Sequence, residues 1–211
     1  MSKSVRNAAL LLAAIGILLA VAPLAAKPVT TTATKTLDNL QAAYNGESNA
    51  HARYLAFAQK AETDGYPSVA KLFRAAAQAE EVHANNHAVV IRKLQAQPKA
   101  DIKTPEVKAT ADNLKAAIEG ETYERDKMYP QFIEVARQAG NTDAVRTFNL
   151  AKTAEAEHAK LYTGASEQLP NLKGVTNVTY YVCPVCGFTT TTLPKEKCPS
   201  CFTAKDKFAA V

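Results

Sequence analysis

Ala79-Glu80-Glu81-Val82-His83 returns as Ala154-Glu155-Ala156-Glu157-His158, an offset of 75, and Gly46-Glu47-Ser48 returns as Gly120-Glu121-Thr122, an offset of 74. Two matched pairs at nearly one offset mark a duplicated unit rather than scattered charge. Gly65-Tyr66-Pro67 and Gly140-Asn141 break helix-like stretches between the members of each pair. Each unit is therefore read as a helical hairpin, with Gly-Glu on its first helix and Glu-x-x-His on its second. The one-residue difference in offset is assigned to the neighbourhood of the turn glycines. Glu47 lies 18 residues before Gly65 and Glu80 lies 15 after it. At ~1.5 Å per residue these are depths of about 27 and 22 Å below the turn. Glu121 and Glu155 lie 19 before and 15 after Gly140, so the four acids fall near one level. Within each Glu-x-x-His the two residues share a face. Glu121 and Glu124 share one as well, where the first hairpin has Ala50.

These faces also carry Ala, Leu, Tyr and Phe, so they are expected to point inward. Five carboxylates (Glu47, Glu80, Glu121, Glu124, Glu155) and two imidazoles (His83, His158) would then share one depth of a bundle. Such a cluster repels itself and loses hydration unless cations sit among its members. A Glu from each of two helices plus Glu-x-x-His from the other two is the di-iron or di-manganese pattern of ferritin-like bundles. A lone Glu-x-x-His reads as solvated helix charge; two copies in register with Gly-Glu partners do not.

The rest of the chain is organised around that bundle. The sequence has 211 residues, no Trp and only 8 Gly. Ala runs through the first 170 residues, which favours helices over a β-sandwich. With 21% charged and 47% hydrophobic residues, general disorder is excluded. A net charge of +5 without a basic cluster makes no case for nucleic acid. Lys3 and Arg6 precede an uncharged run from Asn7 to Ala26, so residues 1–26 read as a secretory signal, with an uncleaved membrane anchor as the alternative. The body is accordingly expected to be exported, to the periplasm or held at the membrane. Residues 27–35 read as a linker, 36–169 as the all-α four-helix bundle and 170–178 as a second linker. Pro130 falls inside the third helix, where it is predicted to kink it or open its hydrogen bonding. Gly46 and Gly120, mid-helix, each cost about 1 kcal/mol relative to Ala, for which a close helix contact is the expected compensation.

Residues 179–211 differ in kind. Cys183-Pro184-Val185-Cys186 and Cys198-Pro199-Ser200-Cys201 are two Cys-x-x-Cys pairs separated by 11 residues, the spacing of two knuckles on one tetrahedral metal. Iron would make the tail a one-electron carrier and zinc would make it structural. Two disulfides are a third reading, in keeping with export.

Together these motifs, with Gly120-Glu121-x-x-Glu124, Met128-Tyr129-Pro130 and the run Cys183-Pro-Val-Cys-Gly187, resemble rubrerythrin from Thr36 to Phe208. The resemblance implies a ferritin-like domain with two non-haem irons and a rubredoxin-like β/metal-knuckle domain with one. It implies a peroxidase that reduces hydrogen peroxide to water, fed by an electron-donor protein. It also implies homodimers or higher oligomers in which one subunit's tail serves another's bundle. By motif the di-iron ligands are Glu47, Glu80, His83, Glu121, Glu124, Glu155 and His158, and Cys183, Cys186, Cys198 and Cys201 hold the single iron. Tyr54 and Tyr129 match tyrosines beside the ligand carboxylates, and with Glu124 they are the candidate catalytic residues. A ferroxidase or iron-handling protein, and a zinc-tailed binding module, are the competing functions. The family's long crossover is accommodated by residues 97–110, which extended at ~3.3 Å each span about 43 Å. Export departs from the family's mostly cytoplasmic habit. Phe202 stands where a knuckle often has Gly. His51 and His87 lie four residues beyond Glu47 and His83; they read as partly exposed helix residues, with proton relay or an extra metal as the alternative. Tyr44 and Phe57 read as core.

Overall fold

The computed structural model describes residues 31–211. The segment read as a signal or anchor, 1–26, lies outside the described residues, among which no helix is long and apolar enough to cross a membrane. The helices are α1 (Thr31–Thr63), α2 (Pro67–Lys93), α3 (Thr110–Tyr123), α4 (Tyr129–Gln138) and α5 (Thr142–Glu167). α1 begins inside the stretch read as a linker. Its threonine-rich start has poor helix propensity, but Thr36 is fully buried and its hydroxyl donates to the Thr32 carbonyl one turn back at 2.9 Å. Packing outweighs propensity there, the back-bonded hydroxyl serving only to satisfy a buried polar group.

α3 and α4 are the single third helix of the sequence reading, joined by one π-helical turn, Glu124–Met128. Pro130 has no N–H to continue the α ladder, and the Tyr129 N–H reaches back five residues to the Glu124 carbonyl. This is the local opening the proline foreshadowed. It also corrects the placing of the odd residue. The turn glycines are equivalent, and the surplus between Glu121 and Gly140 is absorbed in the widened turn. Gly65 and Gly140 take φ of +82° and +67°, the left-handed conformation that ends α1 and α4. Asn141 then caps α5, its side chain accepting from the Ala144 N–H at 2.9 Å.

Between α2 and α3 the chain crosses the length of the bundle along α1. Gln41, Asn45 and Asn49, spaced one helical turn apart, accept from the N–H groups of Lys99, Asp101 and Lys103 at 3.1, 2.8 and 2.8 Å. Four helical residues rise ~6 Å and two extended ones about 6.6 Å, so the two repeats stay in step. At the far end Asp64 accepts from the N–H and hydroxyl of Thr110 at 3.0 and 2.7 Å, starting α3 beside the end of α1. The crossover thus makes α3 antiparallel to α1.

Two apolar cores fill the bundle. One gathers Tyr54, Phe57, Leu72, Phe73, Leu114 and Tyr162; the other gathers Leu40, Ile91, Tyr129, Ile133 and Phe148, with Tyr44 at its edge. Burial of each large side chain contributes about 1.5–3 kcal/mol. The close contact expected at the mid-helix glycines is absent. A Cβ at Gly46 would meet nothing within 4 Å, and one at Gly120 only the Arg53 side chain at 3.9 Å.

The tail forms β1 (Tyr181–Val182), β2 (Thr189–Thr190) and β3 (Ala209–Ala210), an antiparallel sheet of order β2-β1-β3. Its linker is pinned to the same chain's bundle. The Gly174 N–H donates to the Gly65 carbonyl at 2.9 Å, and Lys71 Nζ donates to the carbonyls of Thr176 and Val178 at 3.1 and 2.9 Å. The resemblance implies a tail serving another subunit; in the chain described here the tail lies on its own helices.

Changing Asn45 and Asn49 to Ala removes two acceptors of the crossover ladder. We expect a loss of about 1 kcal/mol per bond, and amide exchange at Asp101 and Lys103 faster by about fivefold. Unchanged exchange at both amides would show that the ladder does not hold the crossover.

Candidate metal centre

Between the two cores lies a polar layer. Glu47 comes from α1, Glu80 and His83 from α2, Glu121 from α3, and Glu155 and His158 from α5, none more than 1% exposed. Their donor atoms form two overlapping sets, Glu47, Glu80, His83, Glu155 and Glu80, Glu121, Glu155, His158, each lying within 4.8 Å. Glu80 and Glu155 belong to both. Two ions held here would share Glu80 and Glu155, with Glu47 and His83 completing one donor set and Glu121 and His158 the other. The sequence duplication has become a local twofold arrangement of donors.

The geometry favours ions over mutual hydrogen bonding. His83 Nδ1 lies 2.8 Å from Glu80 Oε2 and 3.0 Å from Glu155 Oε1. His158 Nδ1 lies 3.0, 3.4 and 3.5 Å from oxygens of Glu155, Glu80 and Glu121. Yet Glu47 Oε2, Glu80 Oε1, Glu121 Oε2, both Glu155 oxygens and His158 Nδ1 are buried without a hydrogen-bond partner. These atoms converge on the spaces between them. Orphaned buried polar atoms are rare because each costs on the order of 1–3 kcal/mol, whereas divalent cations in those spaces would satisfy them. The donors present therefore fit a two-metal carboxylate site.

Electrostatics agree. Burial, then the Glu80 carboxylate, lifts Glu121 from 4.5 to about 8, against the lowering effect of His158. Burial and then neighbouring carboxylates also raise Glu47. Burial disfavours charge on His83 and His158, but Glu155 acting on the first and Glu121 on the second outweigh it and raise both. Burial alone would raise Glu80, but His158 and His83 hold it at about 2.

Each remaining group is held from outside the layer. The Tyr54 hydroxyl donates to Glu121 Oε1 at 2.6 Å, and the Tyr129 hydroxyl makes a short bond to Glu47 Oε1. One tyrosine reaches in from each core. The histidine rings are steered by the tail: His83 Nε2 lies 3.0 Å from the Cys186 carbonyl and His158 Nε2 lies 3.1 Å from Thr189 Oγ1. A metal-binding ring is commonly oriented through its other nitrogen. Between these two contacts Gly187 has a φ of +75°, and a Cβ there would sit 2.3 Å from His83 Nε2.

Two site expectations change. Glu124 opens the π-turn, is half-buried, and belongs to neither donor set. The α spacing from Glu121 holds, since the Glu124 N–H still bonds the Gly120 carbonyl; the π-turn widens the helix only beyond it. Its carboxyl is still raised, by burial and then by Glu47 and Glu121, so it lies within the field of the cluster. His87 is not partly exposed but fully buried, with Nε2 3.1 Å from the Tyr129 hydroxyl and Nδ1 3.1 Å from Thr147 Oγ1. Its place four residues after His83, on the same helical face, was the available signal. Burial first, then the charge of His83, lowers it to about 3, so it is neutral. His51 stays off the site, its Nδ1 2.7 Å from the Ala77 carbonyl.

In the tail, Cys183 Sγ lies 3.5 Å from Cys201 Sγ and Cys186 Sγ lies 3.6 Å from Cys198 Sγ. A tetrahedral metal with bonds of about 2.3 Å separates its sulfurs by about 3.8 Å, whereas a disulfide needs about 2.05 Å. The four thiols are free and poised for one ion, which sets the disulfide reading aside.

A bundle of helices with a duplicated carboxylate and histidine layer, followed by a four-thiolate knuckle, defines a ferritin-like di-iron protein with a rubredoxin-like tail. Residues 38–166 match the family model described as Rubrerythrin. The chain is 42% identical to rubrerythrin-2 of Clostridium acetobutylicum over 183 residues, covering 83% of this chain and 96% of that one. It is 39% identical to nigerythrin of Nitratidesulfovibrio vulgaris, covering 83% and 86%. The solved structure of nigerythrin in a mixed-valence state matches with a TM-score of 0.78 at 38% identity, covering 83% and 86% of the two chains. A bacterioferritin of Desulfovibrio desulfuricans shares the fold alone, with a TM-score of 0.61 at 23% identity over 68% and 84%. The chain belongs to the rubrerythrin family and carries its two cofactor sites, a di-iron carboxylate site and a four-cysteine site.

Metal removal should expose the electrostatic conflict as a pH dependence. Glu121 is raised from 4.5 to about 8 on folding, so its contribution is full below 4.5 and lost as pH rises through 8. The raised His83 and His158 act in the same direction, while the depressed Glu80 contributes fully throughout that window. The metal-free melting temperature should therefore fall between about pH 5 and 8, and the iron-loaded one should fall less. Thermal circular dichroism of both forms checks this; a metal-free midpoint that climbs with pH would contradict it.

Proposed function

We propose that this protein is a peroxidase that reduces hydrogen peroxide to water, with electrons relayed through the tail iron. The observation that supports it most directly is the 3.0 Å contact between His83 Nε2 and the Cys186 carbonyl. One side chain of the bundle's donor set touches the peptide of one tail thiolate, leaving a short bonded path between the two metal sites. A tail used only for stability would not need its cysteine backbone against that ring.

Peroxide takes up two electrons and two protons and leaves as two waters. The chemistry that bound iron supplies is reduction of the O–O bond. The chain's residues do the rest. Burial of the donor layer keeps bulk water away, and the Tyr54 and Tyr129 hydroxyls fix the orientation of Glu121 and Glu47. As donors beside the reacting region, these tyrosines are placed for proton supply. Glu124 lies within the field of the six-residue layer but belongs to neither of its donor sets. We assign it the role of an additional carboxylate that could join the ligand set when iron is bound. We further propose that residues 1–26 direct export; mass spectrometry of the mature chain should find a start shortly after Ala22 to Ala26, and an intact Met1 on a soluble cytoplasmic product would overturn this.

Changing Cys198 and Cys201 to Ser separates chemistry from electron supply. The chemically reduced variant should still be oxidised once by peroxide, while steady turnover with a protein donor collapses. Stopped-flow oxidation beside steady-state consumption tests this, with helicity checked separately because small metal domains lean on their ion. Full turnover in a variant shown to lack tail metal would refute the relay. Glu124→Ala should keep bundle iron and slow peroxide turnover. A parent-like rate, or loss of all bundle iron, would remove its special role.

A further inference from the structure

The two knuckles of the tail occupy opposite situations. The inner one, Cys183–Gly187, is uncharged and presses on the bundle through the Cys186 carbonyl. Its last residue must be glycine, because His83 fills the space a Cβ would need. The outer knuckle, Cys198–Phe202, repeats the same backbone course. The Phe202 N–H donates to the Cys198 carbonyl at 3.0 Å, as the Gly187 N–H does to the Cys183 carbonyl at 2.9 Å. Phe202 takes a φ of +63°, matching Gly187 at +75°. A bulky aromatic residue at positive φ is a local conflict, one that glycine would relieve. The ring gives little back by packing: it is 73% exposed and belongs to none of the apolar clusters among the described residues. Strain kept at a solvent-facing aromatic points to use outside the chain.

Two further features share that side. Cys201, directly before Phe202, is the one tail cysteine that is not buried. The hairpin carrying the knuckle is basic: Lys195, Lys197, Lys205 and Lys207 are exposed, against Glu196 and Asp206. Lys197 pairs through its backbone with Ala204, and the Lys205 N–H donates to the Glu196 carbonyl, so Lys197 and Lys205 flank the base of the knuckle.

We infer that the outer knuckle is the docking surface for an acidic one-electron carrier protein, with Phe202 as the central apolar contact and the lysines as its basic rim. This rests on the electron-relay reading above. One electron leaves the carrier's reduced metal centre, which is oxidised, and arrives at the four-cysteine iron, which passes from ferric to ferrous; no proton moves. The tail then has a direction, in at Cys201 and out at Cys186. An exposed aromatic anchor inside a charged rim is the usual anatomy of an interface hot spot, and opposite charge speeds and orients the encounter.

The test uses the full-length iron-loaded protein and a plant-type [2Fe–2S] ferredoxin, an acidic carrier, as the probe. Binding is measured by calorimetry at low salt, and tail reduction by stopped-flow bleaching of the thiolate-to-iron absorption. Phe202→Gly should weaken binding and slow tail reduction by about tenfold, while the tail melts no lower than the parent's because the backbone conflict is gone. Phe202→Asn, which also tolerates positive φ, serves as a second variant if the first loses iron. Lys197→Glu with Lys205→Glu should weaken binding and flatten its salt dependence. Parent-like binding and reduction in the Phe202 variants would overturn the assignment, as would stronger binding to cytochrome c, a basic carrier. Failure of the relay reading is distinguishable: the tail would be reduced by ferredoxin, with parent and Phe202 variants still differing, yet pass nothing to the bundle.

Discussion

Like charges and lone pairs buried at one level of a bundle cannot be left to themselves, and that constraint organises this protein. Four of the carboxylates and both histidines of the donor layer are almost wholly out of water. Burial and the neighbouring Glu80 push Glu121 up, and several polar atoms of the layer have no hydrogen-bond partner in the protein. The remainder of the fold can be understood as a frame that keeps the donors in place despite this. Two aromatic cores clamp the layer from above and below, each sending in one tyrosine hydroxyl. The crossover ladder fixes α3 antiparallel to α1, so that Glu121 meets the level of Glu47.

Much of this was legible because the donors are spaced by geometry the sequence records. The duplicated Glu-x-x-His, the Gly-Glu pairs and equal distances to the turn glycines are consequences of a constant helical rise. Six of the seven predicted donors accordingly come together. Glu124 is the exception, at the junction where α3 gives way to the π-turn. The turn beginning there is π-helical, and the proline six residues later and the one-residue difference between the two offsets were its traces in the sequence. His87 shares the inward face of His83 by its i, i+4 spacing, but the sequence does not say what would satisfy its ring there. Its burial follows from the fit against Tyr129, Phe148 and Thr147, a matter of tertiary packing. The threonine-rich start of α1 was misjudged for the complementary reason, since local propensity was overruled by contacts.

The tail illustrates the reach of a short motif. Two Cys-x-x-Cys pairs specify a tetrahedral site, and the sulfur separations agree. They do not specify where that site sits. That depends on Gly187, whose missing side chain admits His83, and on a linker held by Lys71 and Gly65. A knuckle glycine conventionally explained by its backbone angle has here a second duty, to leave room for an imidazole from another domain.

The contacts of the tail with both rings bind the two metal sites into one thermodynamic system. A rubredoxin-like tail folds around its ion, and once folded it presents the Cys186 carbonyl and the Thr189 hydroxyl that orient His83 and His158. Whatever free energy an ion in the tail contributes to the correct posture of those rings, ions in the bundle must return to the tail in equal measure, because linkage is reciprocal. Any such coupling would make maturation a joint event across a domain boundary, each centre loaded with regard to the state of the other.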